Sequence, residues 1–557
     1  MATIKSKVLF LTTSPRTPEK IIPEIALLNE KFRGAEWNKE TQTAFMQALK
    51  DEQFFKGEGK NRPDFSARDR INRAPKSLGF VHLKPVSLSS AGQALVADKR
   101  TNEIFLRQML KFQIPSPYHK PTKNAAKFWV KPYLEIFRLV RQLGTLRFDE
   151  MRLFGLQLTD YRKFDEIVEK INQFRIAKTK NTGSYKQFYG EYAERELKEI
   201  YKDEIKNGDT KTRETADASL KKFLRTKFDN MRDYTDACFR YLRATGMVNI
   251  SHVGKSVSIA SEKLDEVDYF LANIDREPCY VNDTARYEDY LCDIAFPTLL
   301  TDNRALLIKK IRTEFPQAQF EENAPTEVLK DMLDLNTRLR KEQIITEQVR
   351  DLKDYKLYDD IQNTFKQIVD DDLYDAPLML EWNTWRAMTM LDGGMIKANL
   401  KFDDFGKPMS SAQGNMADIV CDYDDFGITV EVTTASGQKQ YEMESEPVSR
   451  HLGKFKKAEN KNAYCLFVAP TINEACIAYF FMLHKTNIAY YGGKSVIVPL
   501  PLSVFQKMLE DSYRASYTPN SEQVRKFFEY SKELAESSAD EVEWYKKVTE
   551  KALNWLD

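Results

Sequence analysis

The hydrophobic pattern of the last third of the chain alternates between helix-like and strand-like spacing. Residues 378–391 (LMLEWNTWRAMTML) have the spacing of an amphipathic helix, and two apolar runs follow, joined by a polar turn at 423–427. Residues 463–470 (AYCLFVAP) and 495–501 (SVIVPLP) are short apolar runs typical of buried strands, each followed by a predicted helix. Pro447 stands where we expect the first turn of an intervening helix. This order predicts an α/β sandwich around a mixed sheet.

The first half of the chain shows a different pattern, a helix followed by two short strands, in two places. Around 65–96 a basic helix passes through an apolar turn into a strand, and the chain then passes through Ser89–Ser90 into a short helix that begins near Ala91. Around 224–260 a long amphipathic helix ends at Gly246, and two short strands flank Gly254. Winged-helix modules, which place one helix in a DNA major groove, have this order. Basic ridges on such helices are also typical of ordinary solvated faces.

Three further segments are predicted to be helical. Residues 105–112 and 127–147 are rich in aromatic and basic side chains, so they either position phosphates or pack the domain interior. Residues 325–372 are predicted to form one or two long polar helices with sparse apolar stripes. Such helices suit a spacer between modules and equally an ordinary helical hairpin.

The charges are divided unevenly along the chain. The net charge is +1, but residues 1–260 hold 49 Lys and Arg against 31 Asp and Glu, which leaves the rest acidic. This asymmetry indicates that the first half meets a polyanion, with double-stranded DNA as the expected partner; chance segregation of surface charges is the alternative. At 557 residues the chain is too long for one core. We predict a DNA-recognition region at 1–290, a helical linker at 291–372 and a third, α/β domain at 373–557.

Composition argues against several other classes of protein. No apolar run approaches the roughly 20 residues that span a bilayer, so we expect no membrane partner. The first apolar stretch is interrupted at Thr12, Thr13 and Ser14 and lacks a small-residue cleavage site, so it is a predicted first strand and not a signal peptide. The six cysteines form no CxxC pair, which argues against a zinc site or a disulfide framework. A reducing cytoplasm fits these features.

Four acidic residues lie on the apolar framework of the third domain. Asp418 and Glu431 fall in the two strands of a tight hairpin, Glu381 is near the start of the preceding helix, and Glu444 lies just before the next one. Carboxylates grouped in this way repel one another without a cation, and Mg²⁺ held by two or three of them activates water and neutralises a phosphodiester. The arrangement therefore predicts a Mg²⁺-dependent phosphodiesterase site. Taken alone, an acid in a strand, such as Asp418 or Glu431, is more often an exposed edge residue than a metal ligand.

Five stretches together resemble the AlwI family of type IIS restriction endonucleases: SPRTPEK, IFLRQMLKFQIPSP, LEWNTW, VEVTTASGQKQYEMESEPVSRH and CLFVAP. The resemblance spans nearly the whole chain. It implies recognition of a short asymmetric DNA site by the N-terminal half, cleavage a few bases to one side, and a PD-(D/E)xK nuclease fold with Mg²⁺ as cofactor for the third domain. The residues that match the family's catalytic motif are Glu381, Asp418, Glu431, Glu444 and His451, with Asp418, Glu431 and Glu444 as implied metal ligands.

Two positions depart from the pattern of the nuclease superfamily. Ala417 replaces the proline before the first acid of the hairpin, which leaves the carboxylate intact. Thr433 stands where an E-x-K motif has lysine, so another group must orient or activate the water. His451 is the first candidate because histidine titrates near neutral pH, and Lys439 and Lys454 are the alternatives. A lone histidine at the start of a helix is also typical of a structural role.

We therefore expect a type IIS endonuclease that cleaves both strands. One PD-(D/E)xK site cuts one strand, so a duplex break requires a second cleavage domain, from a transient homodimer through the nuclease domain or from a separate small nuclease subunit. A nicking endonuclease, or the large subunit of a heterodimeric enzyme, would have nearly the same sequence. A non-catalytic DNA-binding regulator is the remaining alternative, which the presence of all four carboxylates disfavours. Candidate DNA-contacting residues are Arg68, Arg70, Arg73 and Arg232.

Overall fold

The chain forms two compact units, Met1–Asp334 and Leu335–Asp557. A computed structural model describes residues 2–52, 55, 62–252, 254–321, 323–391, 394–404, 406–411, 416–423, 425–515 and 519–556. Within these ranges every helix is too short or too polar to cross a membrane.

The first unit is mixed α/β. Its α-helices are α1 (Ile21–Phe32), α2 (Lys39–Asp51), α3 (Pro63–Ser77), α4 (Ser90–Val96), α5 (Thr101–Lys111), α6 (Pro132–Leu143), α7 (Phe148–Leu153), α8 (Phe164–Lys180), α9 (Tyr185–Ile200), α10 (Lys202–Asn207), α11 (Leu220–Ala244), α12 (Leu264–Asn273), α13 (Thr284–Cys292) and α14 (Arg304–Glu314). Short 3₁₀ turns lie at Pro18–Lys20, Gly155–Gln157, Tyr161–Lys163, Ser261–Lys263 and Leu300–Asp302. Its strands are β1 (Ala2–Ile4), β2 (Val81–Leu83), β3 (Val86–Leu88), β4 (His119–Pro121), β5 (Thr145–Arg147), β6 (Val248–Ser251) and β7 (Ser256–Ile259). They pair as β1–β4 in parallel, and as β2–β3 and β5–β7–β6 antiparallel.

The two predicted helix–strand–strand segments are confirmed as elements. Helix α3 leads through β2 and β3 into α4, where the Ser89 hydroxyl accepts the Gly92 N–H at 3.0 Å and caps the helix. Helix α11 is followed by Gly246 at φ +68°, a left-handed conformation that glycine adopts without strain, and the chain turns into β6 and β7.

Helix α5 packs the interior of the first unit. Its polar residues Arg107, Gln108 and Lys111 are all buried. The Gln108 amide donates to the carbonyl oxygens of Leu78 and Leu291, each at 2.6 Å. Buried polar groups need such partners, so of the two roles left open by the sequence, α5 has the packing role.

Residues 291–334, which the sequence prediction placed in a linker, pack within the first unit. The Arg107 guanidinium donates to the Asp302 carboxylate at 2.7 Å, and the Lys330 ammonium donates to the same carboxylate at 2.6 Å. These charges are largely shielded from solvent, where paired ions are required. The compact unit therefore extends to Asp334, beyond the predicted boundary at residue 290.

The second unit begins within α15 and is built on one mixed sheet. Its helices are α15 (Thr326–Lys353, shared with the first unit), α16 (Tyr358–Val369), α17 (Ala376–Leu391), α18 (Gly437–Glu459), α19 (Glu474–Lys485), α20 (Leu502–Arg514), α21 (Ser521–Ser537) and α22 (Glu541–Ala552), with a 3₁₀ turn at Ala489–Tyr491. Its strands are β8 (Met395–Ala398), β9 (Leu400–Phe402), β10 (Pro408–Ser411), β11 (Ile419–Asp422), β12 (Phe426–Val432), β13 (Asn462–Ala469) and β14 (Ile497–Pro501). The predicted polar helices at 325–372 are confirmed as α15 and α16. Because Ile361 and Phe365 of α16 are fully buried, this helix belongs to the core of the second unit.

The predicted mixed sheet is confirmed, with strand order β14–β13–β12–β11–β8. Strands β8, β11 and β12 are antiparallel, whereas β12, β13 and β14 are parallel. Successive side chains of β13 point to opposite faces: Leu466 and Val468 join the core formed with α16, α17 and α20–α22, and Cys465 and Phe467 join the core under α18 and α19. The sheet is thus sandwiched between two helical layers.

Pro447 lies inside α18 and not in its first turn, so that prediction was wrong. Proline lacks an N–H and removes one bond of the helical ladder, which normally ends a helix. Here Val448 and Leu452, which follow it, are fully buried in the core under α18. Tertiary packing therefore carries the helix through the proline, which a local pattern does not reveal.

Candidate active site

Asp418 lies beside Glu431 at one end of the β11–β12 hairpin. Continuing the register of the hairpin by one residue brings the two opposite each other. The Asp418 carbonyl accepts the Asn399 N–H at 2.8 Å, and its carboxylate oxygen Oδ2 accepts the Val432 N–H at 2.9 Å. The carboxylate of Asp418 is therefore held against the strand that carries Glu431.

His451 joins Glu431 from helix α18. Its Nδ1 lies 2.7 Å from Oε1 of Glu431, and the two side chains are only 5% and 7% exposed. Helix α18 packs along the sheet through the buried Val448 and Leu452, which brings His451 over β12. A hydrogen bond from one ring nitrogen to a carboxylate fixes the orientation of the imidazole and selects its tautomer.

Cys465 on β13 lies close to both acids of the hairpin. Burial, together with the negative charges of Glu431 and Asp418, raises the pKa of the Cys465 thiol well above its ordinary value. A hard cation such as Mg²⁺ takes oxygen ligands in preference to sulfur. The carboxylates of Asp418 and Glu431 are therefore the groups that could hold such a cation at this end of the sheet.

Glu381 and Glu444 lie on the helices that flank the sheet. Glu381 is half-buried on α17, which packs against β11 and β12. Glu444 is half-buried on α18, about two turns before His451. Burial raises the pKa of the Cys476 thiol, and the charge of Glu444 adds to this effect. Among the described residues, no three His, Cys, Asp or Glu side chains are grouped closely enough to hold one metal ion. The predicted acids are thus not assembled into a three-ligand cluster.

The donor set of the hairpin suits a hard divalent cation. Mg²⁺ in proteins is usually bound by one or two carboxylates, with water and substrate phosphate oxygens completing the octahedron. Asp418 and Glu431 provide two carboxylates on adjacent strands, so the residues present fit Mg²⁺ without a third protein ligand.

The position of the missing lysine is occupied by a residue that closes a turn. The Thr433 N–H donates to the Val468 carbonyl at 3.2 Å, and its hydroxyl accepts the Ala435 N–H at 3.0 Å. The two alternative lysines, Lys439 and Lys454, are exposed on α18. The hydroxyl at position 433 is therefore engaged with the backbone.

Gln440 is a buried polar residue that the sequence prediction missed. It lies near the start of α18 with no exposed surface, and its amide bonds three backbone groups of the loops beside the hairpin. Its signal is a glutamine among the inward positions of an amphipathic helix, which indicates burial but not the identity of its partners.

The four predicted DNA-contacting arginines fall into two pairs. Arg70 forms an ion pair with the buried Glu24, and Arg73 donates to a threonine hydroxyl at 3.1 Å, so both are engaged within the first unit. Arg68 and Arg232 are exposed on α3 and α11. Exposed arginines are available to phosphates or bases, whereas the first pair also stabilises the fold.

Comparison with known proteins identifies one family. The family model described as AlwI restriction endonuclease matches residues 76–508. Among solved structures, the small subunit (R.BspD6I2) of the heterodimeric restriction endonuclease R.BspD6I is similar, with 24% identity, 37% of this chain and 95% of that chain covered, and a TM-score of 0.27. Restriction endonuclease FokI is 10% identical, with 95% and 99% covered and a TM-score of 0.24. TM-scores this low do not establish a shared fold. No curated protein matches the chain.

Proposed function

Since the chain belongs to the AlwI restriction endonuclease family, a group of site-specific nucleases, we propose that it is a Mg²⁺-dependent type IIS enzyme. In this proposal the first unit recognises a short asymmetric DNA site. The second unit hydrolyses phosphodiester bonds a few bases away. The enzyme works in the cytoplasm, where it meets its DNA substrate.

The proposal depends above all on one observation, the placement of Asp418, Glu431 and His451 at one end of a mixed sheet. Two carboxylates lie on adjacent strands, and a buried histidine bonds one of them. Nucleases of the PD-(D/E)xK type need a carboxylate pair at the end of such a hairpin, which supports this fold for the second unit.

Asp418 and Glu431 are the proposed metal ligands. Bound there, Mg²⁺ would supply charge neutralisation at the scissile phosphate and lower the pKa of a water molecule. Asp418 is held in place by the Val432 N–H, and Glu431 by His451. Both carboxylates are thus oriented by groups of this chain before a substrate arrives.

His451 is the proposed proton acceptor in place of the lysine. When its Nδ1–H donates to Glu431, the other ring nitrogen, Nε2, carries the lone pair. A lone pair held in a fixed orientation accepts a proton from an attacking water more readily than a mobile one. The Glu431 carboxylate also stabilises the imidazolium that results.

The first unit is the proposed DNA-binding part. It holds 57 Lys and Arg against 48 Asp and Glu, and its excess of positive charge comes from residues 1–260. We propose that α3–β2–β3–α4 and α11–β6–β7 act as winged-helix modules, with exposed Arg68 and Arg232 facing DNA.

The test is cleavage of supercoiled plasmids of varied sequence by the purified full-length protein with Mg²⁺. Linear product supports a double-strand cutter. Open-circle product supports a nicking enzyme or a large subunit that lacks its partner, and unchanged plasmid supports a non-catalytic regulator. Sequencing the cut ends gives the recognition site and the cut distance.

Variants of the two acids connect this activity to the site. Glu431→Ala and Asp418→Asn should lower the cleavage rate by several powers of ten, each factor of ten being about 1.4 kcal/mol of barrier, and leave DNA binding intact. Asp425→Asn, an exposed acid in the turn of the same hairpin, is the matched control and should cleave like wild type. Cleavage within about tenfold of wild type by either variant would show that the acids are wrongly assigned.

A further inference from the structure

A run of hydrogen bonds closes the segment between Glu431 and helix α18. The Thr433 N–H donates to the Val468 carbonyl at 3.2 Å. The Thr433 hydroxyl accepts the Ala435 N–H at 3.0 Å, and the Ala435 carbonyl accepts from the Gln440 side chain at 2.9 Å. The bonds thus run without a break from strand β13 to the first turns of α18.

Gln440 extends the run to the next loop of the sheet. Its Nε2 also donates to the Thr471 carbonyl at 2.9 Å, and its Oε1 accepts the Asn473 N–H at 2.7 Å. Asn473 in turn caps α19, accepting the Ala475 N–H at 2.9 Å. Both donor hydrogens and the carbonyl oxygen of the buried amide are therefore used. The loop after β12 and the loop after β13 are joined by this one side chain.

We propose that Thr433 and Gln440 are positioning residues that set the distance between Glu431 and His451. Glu431 lies two positions before Thr433 on β12, and His451 lies about three turns after Gln440 on α18. Thr433 anchors the end of β12 to β13, and Gln440 anchors the start of α18 to the loop after β13. The network therefore fixes the strand end that carries the acid and the helix that carries the histidine. This inference rests on the proposed function, in which these two groups act at the phosphodiester.

The network also accounts for threonine at the E-x-K position. A lysine side chain has three donor hydrogens and no acceptor, so it cannot receive the Ala435 N–H that the Thr433 hydroxyl accepts. Thr433→Lys would restore the residue of the superfamily pattern but break the turn. We therefore expect this variant to lose activity and not to gain it.

The experiment compares two network variants with two matched controls in the full-length protein. Thr433→Val removes the hydroxyl with little change of shape, and Thr433→Ser retains it. Gln440→Leu removes the buried amide, and Gln438→Leu removes an exposed amide of the same turn, which bonds Glu442 at 3.3 Å. The nicking rate with enzyme in excess, the Kd for plasmid DNA and the melting temperature are measured for each.

The expected result is a loss of rate without a loss of binding. Thr433→Val and Gln440→Leu should slow nicking by about 10- to 100-fold, the scale of a catalytic group displaced by about an ångström, with an unchanged Kd. Thr433→Ser and Gln438→Leu should match wild type. The double variant Thr433→Val/Gln440→Leu should lose less than the product of the two single losses, because both act on one network.

A folded Thr433→Val protein that nicks DNA at the wild-type rate would overturn the positioning role. The role would also be overturned if the variants bind DNA more weakly but nick it at the wild-type rate. If the melting temperature of Gln440→Leu is far below that of wild type, the nicking rates of Thr433→Val and Thr433→Ser are compared instead and decide the question. The Glu431→Ala variant distinguishes a failure of the positioning role from a failure of the proposed function. Cleavage by Glu431→Ala contradicts the assigned site itself. An inactive Glu431→Ala beside a fully active Thr433→Val overturns only the positioning role.

Discussion

The proposed role of His451 as proton acceptor depends on its 2.7 Å hydrogen bond to Glu431. We predict that His451→Ala lowers the rate of the first nick by about a hundredfold or more, the usual scale of a general base. The rate is measured on supercoiled plasmid with enzyme in excess, so that product release does not limit it.

Lys454→Ala tests the alternative lysine on the same helix. Lys454 is exposed and lies about one turn after His451, so its removal should leave the nicking rate unchanged. A normal rate in His451→Ala would remove the histidine from the site. A slow rate in Lys454→Ala instead would assign the role to the lysine.

The sequence indicates the acids of the hairpin and His451, but not the network of backbone contacts beside them. Asp418 and Glu431 follow from residue type, hairpin spacing and family resemblance, since metal-assisted hydrolysis requires carboxylates. The partners of Gln440 do not follow, because they lie in loops that only the folded sheet brings together. Arg70 is a similar case: its partner Glu24 is 46 residues away, and an arginine in a basic helix looks the same whether it faces DNA or a buried acid.

At the scale of elements, strands were easier to predict than the limits of helices. The strands β11 to β14 are apolar runs too short for a typical helix and bounded by turns, and these two features together favour a buried strand. Helix α18 begins at Gly437, well before Pro447, because packing against the sheet outweighs the proline. Local signals fix helix ends only where no long-range contact competes with them.

The contact between α19 and β14 makes the second unit sensitive to acid. His484 of α19 is buried, its Nε2 accepts the Ile497 N–H at 3.1 Å, and its ring lies 4.9 Å from that of Trp544. Burial lowers the pKa of His484 to about 4. The unfolded chain, with a pKa near 6.5, therefore takes up the proton first as the pH falls. The stability from neutral His484 is full above about pH 6.5 and is lost as the pH falls towards 4.

We predict that His484→Gln flattens this pH dependence. Between pH 7 and pH 5 the wild-type free energy of unfolding should fall by about 2 kcal/mol more than that of the variant. The measurement is denaturant unfolding of the full-length protein at several pH values. If the free energies of unfolding of the two proteins change with pH in the same way, His484 does not titrate as its burial requires.

On the scale of the whole molecule, charge and packing divide the chain differently. Residues 261–334 hold 8 Lys and Arg against 17 Asp and Glu, yet they pack within the same unit as the basic residues 1–260. The boundary predicted at residue 290 from charge and helix pattern therefore lies before the end of the compact unit at Asp334. Sequence composition locates the basic half of the chain, whereas contacts such as that of Arg107 with Asp302 determine where the unit ends.

We predict that a fragment Met1–Asp334 binds the cognate duplex without the nuclease part. Its affinity should fall with salt, with a log–log slope of about 0.9 per phosphate contact, because released counterions drive binding. A fragment ending at residue 290 should be less stable, because it lacks the Asp302 partner of Arg107 and the Leu291 partner of Gln108. Binding is measured by titration at several salt concentrations. Loss of all specific binding in a folded Met1–Asp334 fragment would show that recognition also needs the second unit.

The number of nuclease domains at the DNA decides whether one strand or both are cut. In the proposed function one Asp418–Glu431 pair acts on one strand at a time. A duplex break would then require a second domain, from another copy of this chain or from a separate small nuclease chain. We predict that nicked plasmid appears first and that its conversion to linear DNA speeds up with protein concentration. Excess Glu431→Ala protein, mixed with a fixed amount of wild type, should then suppress linear product more than nicking, because mixed pairs cut one strand only.

Conversion of nicked to linear plasmid at a rate independent of protein concentration would show that no second copy is recruited from solution. Nicked plasmid as the end product at every concentration would indicate a nicking enzyme or a missing small subunit.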